Sequence, residues 1–394
     1  MTLIEDRAAL RRARVSTSLL FLLFGTALGA WTARIPAIKQ DLSLSDGQLS
    51  VGLLVFAAGA ITGMQAMGRV VDRLGSRRVT VPVAFAEGAA LVLPALAGDL
   101  ALLAAALFVF GTIHGGLNIA MNASAVEVER AWGGPVMSSF HAVYSVGGFL
   151  GAAIGGLFAY GDVAPDVTFL AVGALAAGLA AWSVAWRAPR LGGPVPASPA
   201  AGAGAGAGPM SGVLFLGVLA YCCLVGEGAA ADWSSVYLRE SLGSSPGFAA
   251  AAYAAFSVGM TGGRLAGDRL AAALGPVRLV RGCGLLAATG LGVALLIGHP
   301  VAGVVGFGCL GAGLSCIAPQ VFSAAGNRDP ARAGRALARV ASMGYAGFLT
   351  GPILIGAAAE ATSLPAALTI PVLLALFVAG TASALRSPTA HSFR

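Results

Sequence analysis

Along this chain the apolar residues gather in runs of about 20, the length a helix needs to cross a hydrocarbon core about 30 Å thick, and the polar residues fall in the gaps between runs. Stretches such as "AVGALAAGLAAWSVAW" (171–186) show no alternation of apolar and polar positions, which a transmembrane barrel strand requires over about 10 residues. A backbone in lipid must satisfy its own hydrogen bonds, so runs without strand alternation are expected to be helices. Breaks at charged residues, prolines and glycine clusters divide the chain into twelve expected spans: 16–38, 48–68, 79–98, 101–125, 137–160, 166–187, 211–237, 247–267, 276–298, 300–324, 335–357 and 364–385. The expected fold class is an all-α integral membrane protein.

One gap is long. "RAPRLGGPVPASPAAGAGAGAGPMSG" (187–212) has no periodicity and reads as a flexible linker. It divides the chain into an N-terminal six-helix bundle (1–187), a cytoplasmic linker (188–210) and a C-terminal six-helix bundle (211–394). The halves resemble each other. "YSVGGFLGAAIGG" (144–156) aligns with "GYAGFLTGPILIG" (344–356), setting Gly147, Gly151 and Gly156 on Gly347, Gly351 and Gly356. "FAAG" (56–59) meets "FSVG" (256–259), and the charged "GRVVDRLG" (68–75) is echoed by "GRLAGDRL" (263–270).

Composition agrees with the spans. Charged residues make up 10% of the 394 and hydrophobic ones 57%, against about 25% charged in soluble proteins, too few to cover a surface in water. With a cytoplasmic N-terminus, every one of the 24 lysines and arginines except Arg34, Lys39 and Arg239 falls on the cytoplasmic side, as the positive-inside rule requires. Both termini are therefore expected in the cytoplasm, in a multi-pass protein of the plasma (cytoplasmic) membrane. The net charge of +7 then reflects topology and not nucleic-acid binding. The basic N-terminal flank resembles that of a signal peptide, but further spans follow and no small-residue cleavage site does, so an uncleaved first span is expected. No P-loop, CxxC pair or HExxH occurs, and the four histidines have no metal-ligand spacing; neither a cofactor, a metal nor an enzyme is expected.

The charged segment between the second and third spans carries Gly68, Asp72, Arg73, Gly75 and Arg77 in "GRVVDRLGSR". With the twelve spans and the halved repeat, it resembles the signature cytoplasmic loop of the major facilitator superfamily. More weakly, the chain is similar to the fucose-permease-like members. The resemblance implies two pseudo-symmetric six-helix bundles around a substrate site that opens to alternate sides. It implies that Asp72 meets the N-terminal end of the eleventh span near Gly334 to Leu337, with Arg73 and Arg77 completing the contact. Asp268 and Arg269 would act likewise against the fifth span near Val136 to Ser139. Ser76 departs from the basic residue the family often has there, and the second copy carries one extra residue.

Ionisable residues inside a membrane are costly and mark pathways. Glu227, in "YCCLVGEGAAADW", lies about 24 Å along the seventh span at about 1.5 Å per residue, and Glu87 lies inside the third. Both are candidates for proton coupling, and each could equally serve as a structural partner of an arginine or a backbone group. His114, Asn118 and Asn122 recur every fourth residue and form one polar stripe on the fourth span, lining a cavity or bonding a neighbouring helix. Tyr144 joins them from the fifth span. Trp31 and Trp233 end the first and seventh spans, as interface anchors or as a gate to the cavity. The expected function is secondary active transport of a small organic solute, coupled to protons, by a monomer whose other partner is the bilayer. Efflux is the first expectation, because antiporter members of the family often carry a glycine-rich fifth span with a Gly-Pro pair, of which this chain has the glycines and not the proline; uptake symport of a sugar or metabolite is the alternative, and an embedded enzyme or scaffold the non-transporting one.

Overall fold

The computed structural model describes residues 3–186 and 210–386. The linker expected at 188–210 lies outside the described residues except for Met210, where a helix begins. Six helices precede this gap: α1 (Leu3–Asp41), α2 (Asp46–Leu74), α3 (Ser76–Ala90), α4 (Leu100–Trp132), α5 (Met137–Tyr160) and α6 (Pro165–Ala185). After it come α7 (Met210–Val236), α8 (Pro246–Ile297), α9 (Pro300–Leu314), α10 (Ile317–Arg328), α11 (Ala333–Ala361), α12 (Leu364–Ala367) and α13 (Thr369–Thr381). No strand occurs among the described residues. Polar side chains start several helices: Ser45 and Gln48 form a reciprocal capping box on α2, and Asp99 accepts from the Leu102 amide at the start of α4. Both motifs satisfy amides that a first helical turn leaves without partners.

Eleven continuous helical segments among the described residues are long and apolar enough to cross a membrane, where the sequence reading expected twelve. The difference lies in α8, which holds both the eighth and ninth expected spans and breaks at Gly275, with φ 74° and ψ 160°. Pro276 follows, its missing N–H and fixed φ suited to the first turn of a new helix. Gly75, between α2 and α3, has φ 80° and ψ 147°, so the two halves use one turn. A side chain at either position would be strained. This glycine comes three residues after Asp72 but seven after Asp268.

The described residues form two compact units. The first holds the chain up to Val136, the chain from Phe140 through α6, and Ala331–Ala338; the second holds Met137–Ser139, the chain from α7 to Pro330, and Arg339 onward. Glycines set the helix spacing in each, and the repeat reappears in what they touch. A Cβ built on Gly147 would strike the carbonyl oxygen of Leu22, and one on Gly151 that of Thr26, so α5 lies against α1. In the second unit a Cβ on Gly347 would strike the carbonyl oxygen of Tyr221 and one on Gly351 that of Val225, joining α11 to α7. The α2 and α4 pair matches the α8 and α9 pair in the same way, Gly111 meeting the Phe56 carbonyl and Gly311 that of Phe256. Without large side chains between them, backbones approach closely and van der Waals contact holds helices together where lipid removes the hydrophobic drive. Large apolar side chains stand on the outside, among them Phe149 and Leu296, the latter 88% exposed, as a surface facing hydrocarbon permits.

Candidate functional site

In the first unit the interior carboxylate of α3 meets the polar stripe of α4. Glu87 is fully buried, and its Oε1 lies 2.6 Å from Nδ1 of His114, itself 1% exposed. The ring of Phe24, from α1, stacks on the imidazole at 3.9 Å between centroids and 12° between planes. Phe56 and Phe110 close two more sides at 5.7 and 5.8 Å. The second carboxylate oxygen, Oε2, is buried without a hydrogen-bond partner among the described residues. Such a pair can hold one proton between two groups, and removing either group strands the other in a place where an unpaired charge is expensive.

The rest of the stripe turns back on its own helix. Asn122 is buried and donates from Nδ2 to the Asn118 carbonyl at 2.8 Å; Asn118 is half-buried. Tyr144 of α5 is also half-buried, its ring 5.6 Å from that of Phe24, so one α1 phenylalanine gathers groups from α4 and α5. Trp31 is 2% exposed and packs edge-on to Phe110 and tilted against Phe169. In this arrangement its ring has no face left for a solute or for the membrane interface. Trp233, in the second unit, is half-buried, and its indole N–H donates to the Pro352 carbonyl at 3.2 Å.

Glu227 of α7 lies 3.5 Å from the guanidinium of Arg264 on α8. The charge count placed Arg264 on the cytoplasmic side, although the expected eighth span, 247–267, includes it; it is 8% exposed, inside the unit. One signal was available: Arg264 precedes Asp268 by four residues, hence by one helical turn into the span. The charge count assigned it by sign alone.

The aspartates of the two charged segments each receive the start of a helix. Asp72, on the last turn of α2, accepts from the Gly334 amide at 2.8 Å through Oδ1 and from Nε of Arg335 at 2.7 Å through Oδ2. An anion at a helix N-terminus is stabilised by amides left without partners and by the helix dipole. Arg335 is a cation on Asp72; Arg73 and Arg77 are exposed in the same charged segment. Gly68 is explained by the same approach: a Cβ there would stand 2.8 Å from the Gly334 carbonyl oxygen and 2.8 Å from the Ala338 Cβ. In the second unit both oxygens of Asp268 accept from the Ser139 amide, each at 3.2 Å, while Arg269 is exposed.

Comparison with known proteins follows the same outline. The family model described as Major Facilitator Superfamily matches residues 17–333. An uncharacterised MFS-type transporter of Yersinia pestis is 35% identical, covering 94% of this chain and 95% of its own. The membrane protein MosC of Rhizobium meliloti is 31% identical, over 91% of this chain and 86% of its own. Among solved structures, FucP of E. coli in its outward conformation matches with a TM-score of 0.78 at 16% identity, covering 96% of this chain and all of that one. A multi-pass helical chain with glycine-spaced repeats, matched along most of its length by transporters of one family, belongs to the major facilitator superfamily.

Proposed function

We propose that the chain is a proton-coupled secondary transporter of a small organic solute, working by alternating access in the plasma membrane as a monomer with both termini in the cytoplasm. The observation that carries this reading is Glu227, a carboxylate on an apolar helix with a buried arginine, Arg264, at 3.5 Å. Arginine keeps its charge in proteins, so the proton that this pair can exchange is the one on Glu227. Taking it up cancels the attraction to Arg264 and frees the guanidinium for another partner. The Glu87 and His114 pair is the alternative proton carrier. Asn118 and Tyr144, half-buried, are the members of the expected solute site with surface to offer, and Trp233 is a further candidate. The helix starts held by Asp72 and Asp268 are proposed as latches, released when the transporter changes its open side.

Efflux rests on the glycine-rich α5. Proton-coupled uptake is the second reading, and it is favoured by the likeness in fold to FucP, a fucose:proton symporter. The test uses proteoliposomes and a solute selected by thermal-shift screening, since a bound solute raises apparent stability. Counterflow of that solute separates a transporter from an embedded enzyme or scaffold. Glu227→Gln is then expected to keep solute exchange at equal pH and to lose accumulation driven by a pH gradient, because the amide imitates the protonated acid. Full pH-driven accumulation by that variant would remove Glu227 from the mechanism and transfer the role to Glu87.

A further inference from the structure

The packing of α11 on α7 repeats that of α5 on α1, but one pair of side chains breaks the repeat. Gly147 meets the Leu22 carbonyl where Gly347 meets that of Tyr221, and Leu150 aligns with Thr350. The first unit therefore holds Leu22 and Leu150 at the place where the second holds Tyr221 and Thr350. Since the glycines bring the helices together in both units, close packing does not call for a polar pair. In the second unit the two hydroxyls meet, Oη of Tyr221 lying 2.8 Å from Oγ1 of Thr350.

Counting hydrogens gives the direction of that bond. A threonine hydroxyl carries one hydrogen, and Oγ1 of Thr350 lies 2.9 Å from the Ala346 carbonyl one turn back. Thr26, Thr62, Thr112 and Thr289 bond the carbonyl one turn back in the same way. With the threonine hydrogen committed to Ala346, the Tyr221 hydroxyl is the donor and Thr350 the acceptor. Both hydrogens are then spent, and the Tyr221 oxygen accepts from no group among the described residues. The pair offers lone pairs and no donor. Tyr221 lies about 16 Å along α7 from Met210 at about 1.5 Å per residue, away from the edges where tyrosines anchor a span. Thr350 is exposed and Tyr221 half-buried. Unfilled acceptors facing hydrocarbon are costly, so polar groups at that depth face a water-filled path.

We infer that Tyr221 and Thr350 form a specificity-determining contact of the solute path, at which the Tyr221 oxygen accepts a hydrogen bond from a hydroxyl or ammonium group of the solute. A carboxylate is turned away, because it too brings only lone pairs and Tyr221 would have to release Thr350 to hold it. The inference takes its setting from the transporter reading above, while its chemistry comes from the hydrogen count.

The experiment has two parts, and neither needs transport to occur. In proteoliposomes of mixed orientation, a membrane-impermeant maleimide should label Thr350→Cys above the level of the parent chain; labelling no higher than the parent would set the pair against lipid and overturn the inference. The second part is a thermal-shift titration of the purified full chain with mannitol, which presents only hydroxyls, putrescine, only ammonium groups, and succinate, only carboxylates. Mannitol or putrescine is expected to raise the apparent melting temperature, the one that does so naming the donor, and succinate is not. Tyr221→Phe keeps the ring and should weaken that response about two- to tenfold, as the loss of one hydrogen bond does. Thr350→Val frees the Tyr221 hydrogen to donate, so succinate should begin to stabilise that variant. Should Thr350→Val fail to fold, Tyr221→Phe carries the test. A donor response unchanged in Tyr221→Phe would show that the bond only ties α7 to α11 and would overturn the contact. Stabilisation of the parent by succinate, or by neither donor probe, would overturn the solute class. Absent counterflow with both parts as expected would count against the transporter reading and leave the contact standing.

Discussion

Replacing Asp72 by Asn changes one atom and should loosen one helical turn. In the parent chain the carboxylate accepts from the Gly334 amide at 2.8 Å and from Nε of Arg335 at 2.7 Å. A hydrogen bond to a charged group contributes about 1.5–3 kcal/mol and a neutral one about 1. Asparagine can keep the Gly334 bond in neutral form, so that part of the loss is about 0.5–2 kcal/mol. The anion at the N-terminus of α11 adds about 0.3–1 kcal/mol. The side chain of Arg335 is 47% exposed, so its ion pair is screened by solvent and adds only a few tenths. These contributions overlap, since one charge produces all of them, and about 1–2 kcal/mol is expected. That is about a five- to thirtyfold rise in the population of the opened turn. Amide hydrogen exchange reads this population directly: in bilayer nanodiscs, the peptide covering Ala331–Ala338 should exchange about five- to thirtyfold faster in Asp72→Asn, while peptides from the middle of α11 keep their rates. Unchanged exchange at Gly334 would show that the aspartate serves topology alone. A uniform increase along the chain would show that the variant is destabilised as a whole.

Gly347→Val should lower the melting temperature through overpacking worth about 1–3 kcal/mol, since even a Cβ there would stand 2.5 Å from the Tyr221 carbonyl oxygen. Gly156→Ala, with nothing within 4 Å, is its control, and equal effects from the two would refute the close-approach argument. Gly275→Ala has open space around it but a φ of 74°, so its cost of about 1–3 kcal/mol should come from backbone strain alone; a denaturation midpoint matching the parent would show that the turn relaxes freely. Reporter fusions after residues 200 and 394 should report cytoplasm and a fusion after Asp162 the outside. An external signal from the central segment would remove the six-plus-six topology.

Much of the fold was legible because lipid imposes length. A span must be about 20 apolar residues whatever its neighbours are, so counting residues locates helices without any tertiary information. At α8 the expected eighth and ninth spans run on as one helical segment, and the turn at Gly275 and Pro276 marks the boundary between them. The repeat was visible as glycines and aspartates at matching places. What the glycines pack against, backbone carbonyls of α1 and α7 at nearly the same offset, could not be read from spacing.

The site was legible by residue and not by partnership. Sequence identified Glu87, Glu227 and His114 as interior polar groups, because desolvation makes each expensive wherever its helix lies. Which group offsets that cost depends on how helices far apart in the chain are rotated against one another. That rotation brought His114 to Glu87, Arg264 to Glu227 and Arg335 to Asp72. It also set Trp132 over Arg14, although the two lie on different helices. The chain's own order of apolar and charged residues determined that it crosses the membrane repeatedly and in two similar halves, since burial in lipid is a property of each segment. Only the tertiary structure decided which charge meets which, since a pairing energy belongs to two segments at once and falls away within a few ångströms.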